Sequence, residues 1–374
     1  MSGIYIHIPF CKKACHYCDF HFSTSLKNRE YFVDALIVEI EKSKDSIIDK
    51  NINTIYFGGG TPSLLSTNEL SLILNTIKHN FHVNLFAEIT LEANPDDLTT
   101  TKTSELKQLG INRLSIGIQT YHETILSKLN RSHNYQQAID SVKNAHASGF
   151  NNINIDIIFG LPEMNFEDFK IDIQILIGQN PKHVSAYWLT IEEKTAFGKW
   201  QKQGVFTPLP DEHALMQWSY LKEELKKAGY IQYEISNFSK PNYESIHNGN
   251  YWKGVHYIGL GPSAHSFNGN ERSWNIANNK KYIDAIQKGT SYQTTEKLTS
   301  EDKINEHIMT RIRTMWGIDL NYLKTELCYD LLKQQSIIIE KKITQKKITI
   351  SQNTITLTDK GQQFADEIAS DLFV

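Results

Sequence analysis

Six apolar runs punctuate the first half of the chain, at residues 4–8, 54–57, 87–91, 113–118, 153–159 and 183–189, and they are rich in Ile, Val, Leu and aromatics. Runs of this length and composition predict strands. Helical patterns lie between them. The first covers 28–45, where Phe32, Leu36 and Ile40 recur four apart on one face. A second opens at Ser66 with Glu69 three residues on, the spacing of a capping box. Others fall near 101–109, 135–148 and 166–177. Six successive βα units predict an α/β fold with a parallel sheet. Right-handed crossovers curl such a sheet into a partial (βα)6 barrel of the TIM type.

Beyond 190 the pattern is mixed. Residues 211–228 read as a long amphipathic helix and YEISNF (233–238) as a strand. HNGNYW (247–252) follows, its Asn and Gly predicting a turn that Tyr251 and Trp252 anchor to the core. A histidine beside aromatics can also bind a flat macrocycle through its iron, and both readings stand. From about 298 a small α+β domain is expected: helices near 301–315, 319–327 and 329–335, a hairpin of 348–351 and 354–357, and a last helix over 358–370. Three helices and a hairpin suggest a winged-helix-like shape. The expected domains are therefore 1–190, a barrel-closing extension 191–297, and 298–374.

Charge and composition narrow the function. The 374 residues carry a formal charge of −3, so no overall basic field attracts a polyanion. The basic run KKITQKK (341–347) is read as a solvated face, not a nucleic-acid contact. No charged start leads into a signal core, and no apolar run approaches the roughly 20 residues of a membrane span. Few cysteines, unpaired, fit a reducing cytoplasm. Association with a membrane surface stays open.

The chemistry is concentrated where the first strand ends. After Pro9 come Cys11, Cys15 and Cys18, and three sulfurs so spaced can hold a [4Fe–4S] cluster with one iron open to a small molecule. An odd count argues against disulfides; a Cys3His zinc site with His16 or His21 is the competing reading. Barrels of this kind put their sites on the loops after the strands. There the sequence has Gly58, Gly59, Gly60 and Thr61, then Glu92, then Gln119, with Asp156 inside the fifth strand and Arg131 in LNRSH. Each alone has a plain alternative: a tight turn, a capping carboxylate, a surface arginine. Together they occupy one rim.

The cysteine stretch IYIHIPFCKKACHYC resembles the radical SAM enzymes. With GGGTP, LEANP, RLSIGIQT, NIDIIFGLP, GLGPSAHSF and LTDKGQQFAD it is similar, over nearly the whole chain, to their coproporphyrinogen III oxidase-like branch. Within that branch HNGNYW matches the HNxxYW signature of the HemW-type haem chaperones. Phe20 stands where the HemN-type oxidases carry a further cysteine, and the chain starts directly on its first strand, without their N-terminal extension. The resemblance implies that Cys11, Cys15 and Cys18 ligate the cluster and that S-adenosylmethionine completes it. Tyr5 would lie by the methionine end and Tyr17 by the adenosyl group. Gly59, Gly60 and Thr61 would cradle the methionyl part, Glu92 and Arg131 would be its polar partners, Gln119 a second contact, and Asp156 the ribose acceptor. His247 is the candidate haem ligand, with His256, His265 or a cysteine as alternatives; no residue is assigned a catalytic role. The implied partners are haem, acceptor haemoproteins and an electron donor of the flavodoxin or ferredoxin type, with a homodimer left open. The alternative activity is that of the oxygen-independent coproporphyrinogen III oxidase, whose specific parts are missing.

Overall fold

In the first strand Ile4, Ile6 and Ile8 are fully buried on one face, while Gly3, Tyr5 and His7 line the other. A computed structural model, which describes residues 2–46 and 51–374, repeats this alternation across six parallel strands. They are β1 Ser2–Ile8, β2 Asn51–Gly59, β3 His82–Ala93, β4 Arg113–Gln119, β5 Asn152–Phe159 and β6 His183–Trp188. One face carries the isoleucines and leucines that pack on the surrounding helices, as a parallel sheet covered by crossovers requires. The opposite face is polar, and that face holds the site. The helix Arg29–Lys42 buries Phe32, Leu36 and Ile40, and the capping box of Ser66 and Glu69 forms as expected on the helix Thr67–Asn80.

The segment after β6 adds strands at both edges. β8 Asn237–Ser239 runs antiparallel beside β6 and β7 Ile231–Gln232 antiparallel beside β8; β9 Tyr257–Leu260, β10 His265–Phe267, β11 Glu271–Asn275 and β12 Gln293–Lys297 continue from β1. The sheet order ends at β12 and β7, so among the described residues the extension lengthens the sheet without sealing it into a closed barrel. Two local expectations are corrected. Residues 233–238 do not form one strand: buried Glu234 accepts the Ser236 N–H at 3.1 Å and the Asn237 side chain, folding the chain into a turn. HNGNYW is not a turn but part of the helix Ile246–Lys253.

The small C-terminal domain orders β13 Ile318–Asp319, β14 Ile348–Ser351 and β15 Thr354–Leu357 as a three-stranded sheet, with β15 in the middle. It docks through backbone bonds of Ile235 N–H to Arg313 O (3.0 Å) and Met315 N–H to Tyr233 O (2.9 Å). Residues 341–347 are not simply a solvated face. Part of the run lies in the helix Ser336–Thr344, which the sequence pattern did not reveal, and Lys342 is buried against Glu367 and Asp371. No helix among the described residues is long and apolar enough to cross a membrane.

Candidate functional site

The loop after β1 is pinned before it reaches its first cysteine. Ser23 N–H bonds Pro9 O at 2.8 Å and Cys11 N–H bonds Ser23 O at 3.0 Å, closing residues 11–22 into one lobe. Other loops grip it: His16 N–H reaches Leu129 O, Asn130 donates to Ala14 O at 2.8 Å, and Lys12 pairs with Asp96 at 2.7 Å. Cys18 N–H turns back to Cys15 O at 3.2 Å. The three thiols are free and half-buried on this lobe.

Each of two sulfurs meets a donor. Thr61 Oγ1 donates to Cys11 Sγ at 3.4 Å, and Arg131 Nη1 to Cys15 Sγ at 3.4 Å. The guanidinium is anchored by Asn94 Oδ1 at 2.8 Å and Gly117 O at 2.6 Å, and it also donates to Tyr17 Oη at 3.4 Å. Its Nε is buried without a partner. Burial, and beyond it the neighbouring thiols, push Cys18 up to about 11. Thiols held above neutrality need a cationic centre to ionise, and two hydrogen-bond donors are already aimed at the sulfurs. That donor set fits an iron–sulfur cluster. Neither histidine of the competing zinc reading is gathered with the thiols: His16 Nδ1 bonds Lys128 O at 2.7 Å and His21 Nε2 bonds Asn279 at 2.6 Å. Among the described residues no three His, Cys, Asp or Glu side chains gather as a single-ion site.

Next to the thiols, the glycine triplet ends β2. Gly59 has φ +103°, and a Cβ there would lie 2.5 Å from the His7 ring; at Gly60 it would lie 2.7 Å from Phe10 O. The N–H groups are satisfied within the chain: Gly59 to Glu92 Oε2 (3.2 Å), Gly60 to Ile8 O (2.8 Å), Thr61 to Phe10 O (2.7 Å). What this loop can offer a ligand is therefore carbonyl oxygens, which suit an ammonium. Glu92, receiving Tyr56 Oη at 2.7 Å, is raised to about 7 by burial, and Asp156 adds to the effect. Asp156 itself takes hydrogen bonds from Ser115 and Asn154, and burial raises it as well. Gln119, at φ +72°, breaks the β4–β5 register and brings its side chain over Gly117 beside Arg131.

The predicted residues Cys11, Cys15, Cys18, Tyr17, Gly59, Gly60, Thr61, Glu92, Gln119 and Arg131 thus share one mouth of the strands, with Tyr5 and Asp156 deeper on the same face. His247 lies below them on the same face, its ring stacked on Tyr5 (centroids 6.4 Å apart) and on Tyr56 (5.0 Å). It is 2 % exposed, and both ring nitrogens are engaged, Nδ1 with Thr54 Oγ1 (2.8 Å) and Nε2 with Tyr251 Oη (2.9 Å). Burial, and next Arg113, lower it to about 3, so it is neutral. Around it runs a polar interior that the motifs alone do not reveal. His183 joins Asn154 (2.6 Å) and Tyr233 (2.7 Å), and Arg113, 1 % exposed, faces Glu88 at 4.0 Å. The signal was present: Thr54 and Tyr56, Glu88, Thr90 and Glu92, Arg113 and Ser115 alternate with apolar residues at period two.

The chain is similar to known proteins. A family model described as the radical SAM superfamily matches residues 5–176. Among curated proteins, the haem chaperone HemW of Bacillus subtilis is 33% identical over 98% of both chains. That of Escherichia coli is 32% identical over 98% of this chain and 96% of its own. Among solved structures, the Escherichia coli coproporphyrinogen III oxidase HemN superposes with a TM-score of 0.86 at 21% identity, covering 100% of this chain and 90% of its own, a likeness of fold. A chain that matches HemW relatives along its full length and arranges its cysteines at the mouth of this barrel belongs to the radical SAM superfamily and, within it, to the HemW family.

Proposed function

We propose that this chain is a haem chaperone: it holds a [4Fe–4S] cluster on Cys11, Cys15 and Cys18, binds S-adenosylmethionine beside it, and passes haem to acceptor haemoproteins. The supporting observation is the pairing of half-buried thiols with Arg131 and Thr61 in a chain whose full-length relatives are named haem chaperones. When bound and reduced, such a cluster supplies an electron to a sulfonium ligand. The residues prepare the rim for that ligand. Carbonyls of the glycine triplet and the Glu92 carboxylate would hold its ammonium, Arg131 its carboxylate and Asp156 its ribose, with Tyr5 and Tyr17 beside it. A flavodoxin- or ferredoxin-type protein is the proposed electron donor, in the cytoplasm. Membrane-surface contact and a homodimer belong to the same proposal, and nucleic acid does not. Iron and sulfide analysis after anaerobic reconstitution should return about four irons per chain. On the same preparation haem should pass to an apo-haemoprotein, whereas formation of protoporphyrinogen from coproporphyrinogen with reductant would sink the chaperone reading in favour of the oxidase.

A further inference from the structure

The concave face does not stop at β1. β9 pairs with it in parallel, Tyr5 opposite Gly259, and the alternation continues outward through Tyr257, Phe267 and Arg272. On the same face His265 stands opposite Trp274, and Thr294 and Glu296 follow on β12. His265 of β10 together with β11, β12 and Tyr292 walls a cleft of about 800 Å³, within the range of pockets that hold cofactor-sized ligands. His7, buried on the next strand inward, bonds Tyr5 Oη and His21 O. A Cβ on Gly59 would strike its ring and a Cβ on Gly261 its carbonyl at 2.5 Å.

Within the cleft His265 is exposed, and no hydrogen bond from the described residues reaches its ring nitrogens. Its backbone is fixed: a Cβ at Gly259 would come within 2.0 Å of His265 O, which gives the first glycine of GLGPSAHSF its reason. Its ring is oriented by the Trp274 indole, at 6.1 Å and 29°. Arg272 is held by Glu306 at 2.7 Å and touches Tyr257 Oη at 3.4 Å, which leaves some of its five N–H donors unused. Glu296 in the same wall opposes an anion, so a ligand with two carboxylates would place one near Arg272 and turn the other to solvent.

We propose that His265 is the axial ligand of haem in this chain, with Trp274 fixing the imidazole plane and meeting the macrocycle by its edge. This rests on the haem-chaperone reading and gives it a site. A neutral imidazole with a free nitrogen is the usual protein ligand of haem iron, and an aromatic edge against a π-face is a favourable contact. His247, with both nitrogens engaged, would first have to give up a hydrogen bond.

Haemin titration of the full-length, cluster-loaded protein, followed by absorbance, tests the assignment. His265→Ala should weaken binding on the order of tenfold or more and lose the histidine-ligated spectrum, which added imidazole should restore. Trp274→Leu should weaken binding and keep the spectrum. Wild-type affinity and spectrum in His265→Ala would overturn the assignment, as would loss of the spectrum in His247→Asn with an unchanged melting temperature. No Soret shift in the wild-type protein would instead overturn the chaperone reading on which it rests.

Discussion

Arg131 and Thr61 act on sulfur directly, so their loss should be felt at the cluster before it is felt in the fold. Arg131→Met removes the cation beside Cys15 and leaves Asn94 and Gly117 without their donor. Iron retained after gel filtration of the reconstituted protein should fall, while circular dichroism stays native; full iron content would refute the role. Gly60→Ala is a different kind of change. Its Cβ would meet three backbone atoms, Phe10 O, Ile8 O and Phe10 N, at 2.7–2.9 Å, and backbone cannot rotate aside. The cysteine lobe should shift, and no more than a small fraction of the four irons should be recovered. That these glycines matter was legible in the sequence; that they serve the close approach of β1 to β2, with every N–H satisfied internally, was not.

At the scale of elements, the helix Ile246–Lys253 shows why a local reading failed. Its Asn and Gly favour turns, yet Glu88, on β3, accepts Ile246 N–H at 3.1 Å and His247 N–H at 2.9 Å, and Ser245 caps Asn248 N–H. A carboxylate distant in sequence thus satisfies the free donors of the first turn and meets the positive end of the helix dipole. The same Glu88 is the only carboxylate paired with Arg113 among the described residues. Glu88→Ala should cost about 3–5 kcal/mol in urea unfolding, because it strips both the cap and the partner of a buried guanidinium. Arg113→Met in that background should recover part of the loss; strictly additive effects would show that the two residues do not couple.

For the whole molecule, Glu39 fastens the first helix to the extension. Its carboxylate takes Gly261 N–H at 2.7 Å, the Asn275 amide at 2.7 Å and the Tyr282 hydroxyl. Burial raises its pKa from 4.5 to about 7 despite those bonds. The folded state therefore holds this proton where the unfolded chain releases it. Its contribution to stability is complete below about pH 4.5 and is lost as pH rises to about 7, a span worth on the order of 3 kcal/mol. Glu39→Gln should flatten the fall in melting temperature over that window, and an unchanged profile would show that the carboxylate is already ionised in the fold.

The succession of strands and helices was determined by the sequence alone, because its periodicities are local and each apolar face must be buried. So were the cysteine lobe and most of the rim, since βα connections deliver those loops to one end of a parallel sheet whatever the details. Tertiary structure decided what depends on partners far along the chain. It made HNGNYW a helix and closed off both nitrogens of His247. It buried Lys342 in ion pairs and laid β9 to β12 against β1, so that His265 and Trp274 share a face with Tyr5. A residue's own chemistry is written in its type; whether its hydrogen bonds are already used depends on what folds against it.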